Sequence, residues 1–153
     1  MDINDDFKEA MSLIPTSVGV VWLRKNHAQK IGCTISSFIS VSVSLGKEKI
    51  AFVLRNNSRT AQNLANSEEF HISILDKTQH EVAKIFASGL SIEHLNQSLK
   101  NHVDWREGAI CEFSLKINRQ IQVDDSTIFV ARVKSFLYRP SRLPLVYSSR
   151  KYD

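Results

Sequence analysis

Hydrophobic residues along the chain fall mostly into short runs with the two-residue period of half-buried strands. Apolar and polar residues alternate strictly from Cys111 to Asn118, which is the pattern of a strand with one buried face. Other runs are rich in β-branched residues, and polar pairs such as Asn26-His27 supply turns between them. The sequence therefore predicts strands over residues 18–25, 31–35, 49–54, 69–75, 111–118 and 127–137.

Three shorter stretches carry the helical period. Apolar residues between positions 7 and 14 recur at helical spacing, and Pro15 ends this helix. Residues 58–66 start with polar side chains and contain no Gly or Pro, which favours a second short helix. Thr78 and Glu81 have the spacing of a capping box and predict a third helix start. Several strands with a few short helices, and no strand–helix–strand repeat, indicate a mainly β protein with an antiparallel barrel.

Length and composition indicate one globular domain over residues 1–153. The chain is 42% hydrophobic and 24% charged, the balance of a globular protein with a real core. Its longest apolar stretches have strand length, so no membrane span is expected. Residues 1–6 are acidic and lack the basic start and apolar run of a secretory signal. We therefore expect a cytoplasmic protein.

The net charge of +4 arises from basic residues that are concentrated after residue 126. A solvated face is the simplest interpretation of this excess. Because no helix-turn-helix, zinc finger or aromatic RNA-binding signature is present, nucleic acid is not an expected partner. The positive charge suits local attraction of a phosphorylated small molecule.

The common motifs of nucleotide and metal chemistry are missing. The five glycines are too widely spaced for a dinucleotide fingerprint or a P-loop. His80 has Lys84 four residues later instead of a second histidine, and no metal site is expected. No serine lies in a hydrolase elbow. Cys33 and Cys111 have no close-spaced partner, and we interpret both as small buried hydrophobes.

Residues 32–42 are the most informative segment, because they combine a strand pattern with many hydroxyl groups. Hydroxyls and main-chain amides at a strand end can hydrogen-bond a planar heterocycle without adding charge. Residues 55–60, Arg-Asn-Asn-Ser-Arg-Thr, add donors just before a predicted helix and suit a phosphate. Each segment also has a structural alternative, since Ser and Thr populate strands and turns, and Ser58 or Thr60 can cap a helix. From the residues alone, both interpretations stay open.

Short motifs in a fixed order extend over essentially the whole chain. The most specific is the run Gly32-x-Thr34-x-Ser36-Ser37-Phe38-x-Ser40-Val41-Ser42. Weaker ones surround it: Phe7, Ala10-Met11, Pro15-Thr16, Val18, Val20-Val21, Ser58-x-Thr60, Ala83, Phe86-Ala87, Ile128-Phe129-Val130, Val133, Pro144-Leu145-x-Tyr147 and Tyr152. Together they resemble the flavin reductase family, whose members supply reduced flavin to two-component monooxygenases.

The resemblance implies a six-stranded FMN-binding split β-barrel that forms a homodimer, with FMN or FAD near the dimer interface. It also implies that NADH or NADPH is the hydride donor and that a monooxygenase component is a partner. By position, it places the flavin ring at Thr34, Ser36 and Ser37, with Ser40 in the same run. It assigns the phosphate end of the flavin to Arg55, Asn56, Asn57, Ser58 and Thr60. The pair Phe86 and Ala87 is expected to close the pocket.

The motifs also differ from the family pattern at one position beside the reacting rings. The family usually has Gly-Asp-His before the Ile-Phe-Val strand, whereas this chain has Asp124-Asp125-Ser126. Ser126 thus occupies the place of the histidine. Hydride passes directly between the two cofactors, so no catalytic side chain is expected. Two functions follow from the resemblance, a flavin reductase and a flavin carrier with little reductase activity; a flavin-dependent oxidase or oxygenase is a weaker third.

Overall fold

The computed structural model describes residues 2–153 as strands connected by short helices. The strands are β1 (Thr16–Ser17), β2 (Gly19–Arg24), β3 (Lys30–Ile35), β4 (Phe38–Ser42), β5 (Lys49–Arg55), β6 (Phe70–Ile74), β7 (Cys111–Val123), β8 (Ser126–Tyr138), β9 (Val146–Ser148) and β10 (Lys151–Tyr152). The helices are α1 (Ile3–Ser12), α2 (Arg59–Leu64), α3 (His80–Ala87), α4 (Ile92–Leu99) and α5 (Trp105–Gly108), with a 3-10 turn at Lys100–His102. The predicted class, mainly β with short helices, is confirmed.

Seven strands form one antiparallel sheet in the order β3-β2-β6-β7-β8-β5-β4. Its two edge strands, β3 and β4, are consecutive in the chain and are separated only by Ser36 and Ser37. So short a connection between opposite edges requires the sheet to curl. Among the described residues no ladder joins β3 to β4, so the barrel is split there. The main sheet has seven strands instead of six, because residues 36–37 divide the hydroxyl-rich run between both edges.

The apolar core covers both faces of β2. Inside the curled sheet, the ring of Phe52 stacks on Phe129 at 5.3 Å and lies 5.7 Å from Phe70. On the other face, α3, α4 and α5 bury a second cluster around Trp22 and Trp105. Burial of each such large side chain contributes about 1.5–3 kcal/mol. This second cluster fixes α3 against β2 and β3.

The capping box predicted at the start of α3 is wrong. The Thr78 hydroxyl and amide both donate to Oδ1 of Asp76, at 2.8 and 2.9 Å, which forms a local turn before the helix. Gln79 takes the N-cap position without a side-chain cap, and its Nε2 donates to the Trp105 carbonyl oxygen at 2.6 Å. The carboxylate of Asp76 therefore outcompetes the helix for Thr78, and α3 begins at His80.

Two helices and one hairpin also differ from the sequence-based expectation. Helices α4 and α5 were not predicted. Ser91 caps α4 by accepting from the His94 amide at 3.2 Å, and the apolar side of α4 is buried. Strands β7 and β8 form a hairpin longer than expected, in which Asp124 has a positive φ of 50°. Within residues 2–153, none of the helices has both the length and the apolar character needed to span a membrane.

Candidate functional site

A cavity of about 600 Å³ lies between β3, the start of α2 and the end of α3. This volume is in the range of pockets that bind nucleotide-sized ligands. Its walls come from three chain segments that are far apart in sequence. The lining residues are Gly32, Cys33 and Thr34 of β3; Arg55, Ser58, Arg59 and Thr60; Ile85, Phe86, Ala87, Gly89 and Leu90; and Leu95 of α4.

The β3 wall brings a strand and a helix very close together. A Cβ at Gly32 would lie 2.7 Å from the Val21 carbonyl oxygen and 3.0 Å from Cε1 of Phe86, so only glycine fits. The Thr34 hydroxyl donates to the Ala83 carbonyl oxygen at 2.6 Å and ties the strand to α3. Its oxygen can still accept a hydrogen bond from a ligand. The hydroxyl that was predicted to meet a flavin ring therefore also holds the wall together.

The wall formed by the β5–α2 junction carries two cations. Arg55 ends β5, lines the cavity and makes no salt bridge within residues 2–153. Arg59 also lines the cavity, and its Nη2 donates to the Leu90 carbonyl oxygen at 2.6 Å. Ser58 caps α2 by accepting from the Ala61 amide at 3.0 Å. The structural alternative for Ser58 is thus realised, while its hydroxyl hydrogen stays free to donate.

The third wall follows the end of α3. The ring of Phe86 lies 5.2 Å from that of Trp105, which fixes its position at the cavity. Gly89 has a positive φ of 67° and turns the chain back towards α4, since glycine adopts this conformation without strain. The predicted pair Phe86 and Ala87 lines the cavity in this wall.

The cavity is electrostatically positive. Within the described part of the chain, none of its lining residues is acidic, and two are arginines. Burial raises the pKa of the Cys33 thiol, against the smaller opposing effect of a hydrogen bond with Thr60, so the thiol is neutral at pH 7. Such a cavity suits an anion with several acceptor oxygens, as in a phosphate. Both cysteines are half-buried free thiols, less buried than expected, and Cys33 lines the cavity.

A smaller cleft of about 170 Å³ continues from the cavity beyond Thr34 and Ala87, which line both spaces. Ser36, predicted to contact the flavin ring, lies in this cleft. Of the predicted residues, the structure therefore brings together Thr34, Ser36, Arg55, Ser58, Thr60, Phe86 and Ala87.

Two of the predicted hydroxyls lie elsewhere. The Ser37 hydroxyl accepts from the Val53 amide at 2.9 Å and donates to the Val53 carbonyl oxygen at 3.2 Å. It thus ties the corner between β3 and β4 to β5. Ser40 lies in a separate groove with Phe38 and Phe136. Both residues are on the β4 side of the split, which directs them away from the cavity.

Two of the residues predicted for the phosphate end also lie outside the cavity lining. Asn56 supports the turn between β7 and β8: its Oδ1 accepts from Thr127 Oγ1 at 2.6 Å, and its Nδ2 donates to the Asp124 carbonyl oxygen at 3.3 Å. Asn57 is exposed. Of the residues predicted for the phosphate end, Arg55, Ser58 and Thr60 thus line the cavity, whereas the side chain of Asn56 is occupied by this turn.

Ser126 lies beside the cationic wall. It pairs in register with Arg55, so its position adjoins the end of the cavity. Its hydroxyl donates to Oδ1 of Asp125 at 3.1 Å. The side chain at the family's histidine position is thus short and turned to a neighbouring carboxylate.

Sequence reasoning counted Arg59 among the donors of residues 55–60 but did not assign it to the site, and it missed Leu90. Arg59 is the unspecified position x of the motif Ser58-x-Thr60, so the motif does not include it. A pattern of two arginines four residues apart, on either side of a helix start, could have signalled it. Leu90 lies in a segment without periodicity, and the structure places it in the cavity wall, where its carbonyl oxygen accepts from Arg59.

The structure is thus a mainly β domain, in which a curled sheet carries a cationic pocket between β3 and helices α2 and α3. The model of the family described as "Flavin reductase like domain" matches residues 11–153, and the chain belongs to this family.

Similar proteins carry related names. The chain is 27% identical over 138 residues to a probable flavin reductase of Rhizobium meliloti, covering 84% of this chain but 42% of that protein. It is 24% identical over 135 residues to the NADH-dependent flavin reductase StyB of Pseudomonas fluorescens, covering 84% and 75%. The NADH:FAD oxidoreductase SgcE6 of Streptomyces globisporus, solved with NAD and FAD fragments, superposes with a TM-score of 0.84 at 21% identity, covering 99% of this chain and 92% of that one.

The family and fold class predicted from the sequence are confirmed by these matches. The predicted flavin reductase function, the enzyme class and the pairing of flavin with nicotinamide agree with the names of the relatives. The roles of individual site residues stay predictions.

Proposed function

We propose that this protein is an NAD(P)H-dependent flavin reductase that transfers hydride to FMN or FAD and supplies the reduced flavin to a partner monooxygenase. The observation that carries this proposal is the cationic, nucleotide-sized cavity at the hydroxyl-rich end of β3, in a chain of the flavin reductase family. Relatives named for NADH and FAD support the choice of donor and acceptor. We propose that residues 1–153 act as one domain, in the cytoplasm.

The donor groups of the cavity fit a flavin nucleotide. Arg55, Arg59 and the hydroxyl of Ser58 supply charge-assisted hydrogen bonds for a phosphate at one end. Thr34 at the other end supplies an uncharged hydroxyl for the polar edge of a flat ring. Phe86 adds an apolar wall between the two ends. This division into a charged and an uncharged end matches the chemistry of FMN or FAD.

The protein's own residues contribute binding, orientation and exclusion of water. When bound, the flavin accepts hydride, which is two electrons and one proton, and the nicotinamide leaves in its oxidised form. Hydride transfer needs the two rings at near-contact distance. The packing of Phe86 on Trp105 and the hydrogen bond from Thr34 to α3 keep the walls rigid for this purpose.

A flavin carrier with little reductase activity is the second candidate. The observation that favours it is Ser126, which stands at the family's histidine position and donates to Asp125. A serine provides neither the stacking surface nor the second nitrogen of histidine. On this view the cavity binds flavin, but nicotinamide reduces it slowly.

We also propose that the protein is a homodimer, joined by an apolar face beside the cavity. On the outside of the barrel, Val53 lies opposite Ile128, and Ile128 lies opposite Ile121. The side chain of Ile39, on the neighbouring strand β4, is 63% exposed. Contiguous exposed apolar residues of this kind mark interaction surfaces. Because Arg55 lies two residues beyond Val53 on the same side of β5, a second copy bound there would flank the flavin site.

The reductase and carrier functions are separated by one experiment. Purified protein is mixed with FMN or FAD and with NADH or NADPH, and the absorbance of both cofactors is followed. A reductase consumes the nicotinamide and bleaches the flavin in step with protein concentration. Flavin binding without nicotinamide oxidation above background would reject the reductase.

Light scattering on the protein and on a Val53→Lys variant tests the dimer, which the lysine should dissociate.

A further inference from the structure

A row of aromatic rings connects the outer face of the sheet to the wall of the cavity. The rings of Trp22 and Trp105 meet edge-on, with centroids 5.9 Å apart. Trp105 in turn lies 5.2 Å from Phe86, which lines the cavity. All three side chains are buried. Because a close-packed interior transmits displacements, a shift at Trp22 or Trp105 reaches Phe86.

His71 occupies the outer end of this row. It pairs in register with Trp22 across β2 and β6, and its imidazole stacks on the indole with centroids 4.4 Å apart. The Trp22 Nε1 donates to Ser73 Oγ at 3.1 Å, which fixes the indole under the imidazole. The His71 side chain is 24% exposed and lines a surface cavity of about 280 Å³. Solvent protons therefore reach the ring.

Arg106 rests on the same indole. Its guanidinium carbon lies 4.6 Å from the centroid of the Trp22 ring, within the range of a cation–π contact, and its Nε donates to Glu112 at 3.0 Å. Arg106 directly follows Trp105 in the four-residue helix α5. The Trp105 carbonyl oxygen also accepts from Gln79. Because side-chain contacts hold this short helix, the position of Arg106 on Trp22 helps to set the position of Trp105.

Charged groups from several elements surround the stacked imidazole. They are Arg24 of β2, Lys30 of β3, Glu69 before β6, Glu112 of β7, Lys134 of β8, Arg139 after β8 and Arg106 of α5. Glu69 Oε1 lies 3.9 Å from His71 Nε2, beyond hydrogen-bond distance, and this carboxylate is already paired with Lys134. Glu112 is paired with Arg106 and Arg139. Since both carboxylates have cationic partners of their own, a proton on His71 would add charge to a surplus of cations.

The charge of His71 depends on pH in the range where this surplus matters. Burial lowers the pKa of the imidazole; Glu69 opposes this effect, and Arg106 and Arg24 reinforce it. The ring is therefore neutral at pH 7 and takes up a proton below the usual value of about 6.5. A protonated imidazole would compete with Arg106 for the Trp22 ring, and the two like charges would repel each other.

We propose that His71 is a positioning residue of the cavity: while His71 is neutral, Arg106 stays on Trp22 and Trp105 supports Phe86, and protonation of His71 removes this support and weakens flavin binding. The proposal rests on the proposed flavin reductase function, because it takes flavin as the ligand of the cavity. It adds a pH-dependent control of that site from the opposite face of β2.

The test measures the affinity for FAD by calorimetry from about pH 8 to about pH 5, the range in which histidine titrates. FAD is the probe because the phosphate monoester of FMN itself titrates near about pH 6. We expect acidification to weaken binding to the wild type about two- to fivefold, the range of one exposed cation–π contact. His71→Phe keeps a stacked ring that cannot take up a proton, so its affinity should not change with pH. Arg106→Gln should bind FAD more weakly at neutral pH and lose no further affinity on acidification.

His27→Gln is the matched control, because His27 is an exposed histidine in the turn between β2 and β3. It should keep the full pH dependence of the wild type. Trp22 and Trp105 are the only tryptophans of the chain, so the intrinsic fluorescence of the flavin-free protein reports protonation beside them. This fluorescence should titrate in the wild type and in His27→Gln but not in His71→Phe. Thermal unfolding at neutral pH shows that each variant is folded.

The outcomes separate this proposal from the proposed function. An equal loss of FAD affinity in the wild type and in folded His71→Phe would overturn the proposal. A fluorescence titration in the wild type without any change in FAD affinity would also overturn it, because the protonation would then not reach the cavity. A protein that binds no FAD at any pH would reject the proposed function, and the control of flavin binding with it.

Discussion

The two halves of the hydroxyl-rich run, residues 32–42, lie at opposite edges of the same sheet and do different work. The first half, in β3, faces α3 and forms a wall of the cavity, where Thr34 donates to Ala83. The second half follows the corner, where the Ser37 hydroxyl makes two hydrogen bonds to the backbone of Val53. The two halves have a similar composition, but different elements of the structure face them. The role of a hydroxyl is therefore decided by the element that faces it.

The largest effect should come from removing Arg55 and Arg59, which line the cavity together with the first half of the run. Arg55→Ala combined with Arg59→Ala should weaken flavin binding by about 100-fold, because hydrogen bonds to charged groups are worth about 1.5–3 kcal/mol each. Quenching of flavin fluorescence measures the affinity. Arg119→Ala, an exposed arginine of β7, is the control. Equal affinity in the double variant and the control would reject the phosphate assignment.

Gly32→Ala should disrupt the first half sterically. The added Cβ would lie 2.7 Å from the Val21 carbonyl oxygen and 2.9 Å from the Trp22 Cβ, so β3 must move away from β2. Overpacking of this kind costs about 1–3 kcal/mol and should lower the melting temperature by about 3–10 °C. Ser40→Ala, in the second half, should leave the melting temperature unchanged. The idea fails if Gly32→Ala melts like the wild type and binds flavin normally.

Thr34→Ala and Ser37→Ala test the comparison most directly. Each loses backbone hydrogen bonds and should be destabilised by about 1 kcal/mol. Only Thr34→Ala should also weaken flavin binding, by about three- to tenfold, because one hydrogen bond to the ligand is lost with it. Chemical denaturation and flavin titration on both variants measure this, with Thr34→Ser as the variant that restores the hydroxyl. A similar loss of affinity in Ser37→Ala would mean that both halves bind flavin.

The smallest effect concerns Ser126, opposite Arg55 in register. Ser126→His should raise the rate of flavin reduction by about two- to fivefold, because an imidazole can stack on a ring and hydrogen-bond to it. Ser126→Ala is the control and should leave the rate unchanged. Steady-state oxidation of NADH in the presence of flavin measures both. A slower or equal rate in the histidine variant would show that the missing imidazole does not limit reduction.

Much of the fold was predictable because the patterns are local. Alternation from Cys111 to Asn118 and Pro15 after the first helix required no knowledge of distant contacts. The start of α3 was not predictable in this way, since the Asp76 carboxylate accepts hydrogen bonds from Thr78 and keeps it from capping the helix. Helices α4 and α5 were also missed, because they pack in a cluster with Trp22, which is distant in sequence.

The sequence by itself determined the mainly β class, the family motifs and the presence of a hydroxyl-rich run with an arginine-containing segment downstream. The tertiary structure decided which of those groups share a space. It joined Thr34 to Arg55, Arg59 and Phe86, gave Ser37 and Asn56 structural hydrogen bonds, and placed Ser40 in a separate groove. The physical reason is the curl of the sheet, which separates neighbours at residues 36–37 and unites segments that are some 20 residues or more apart.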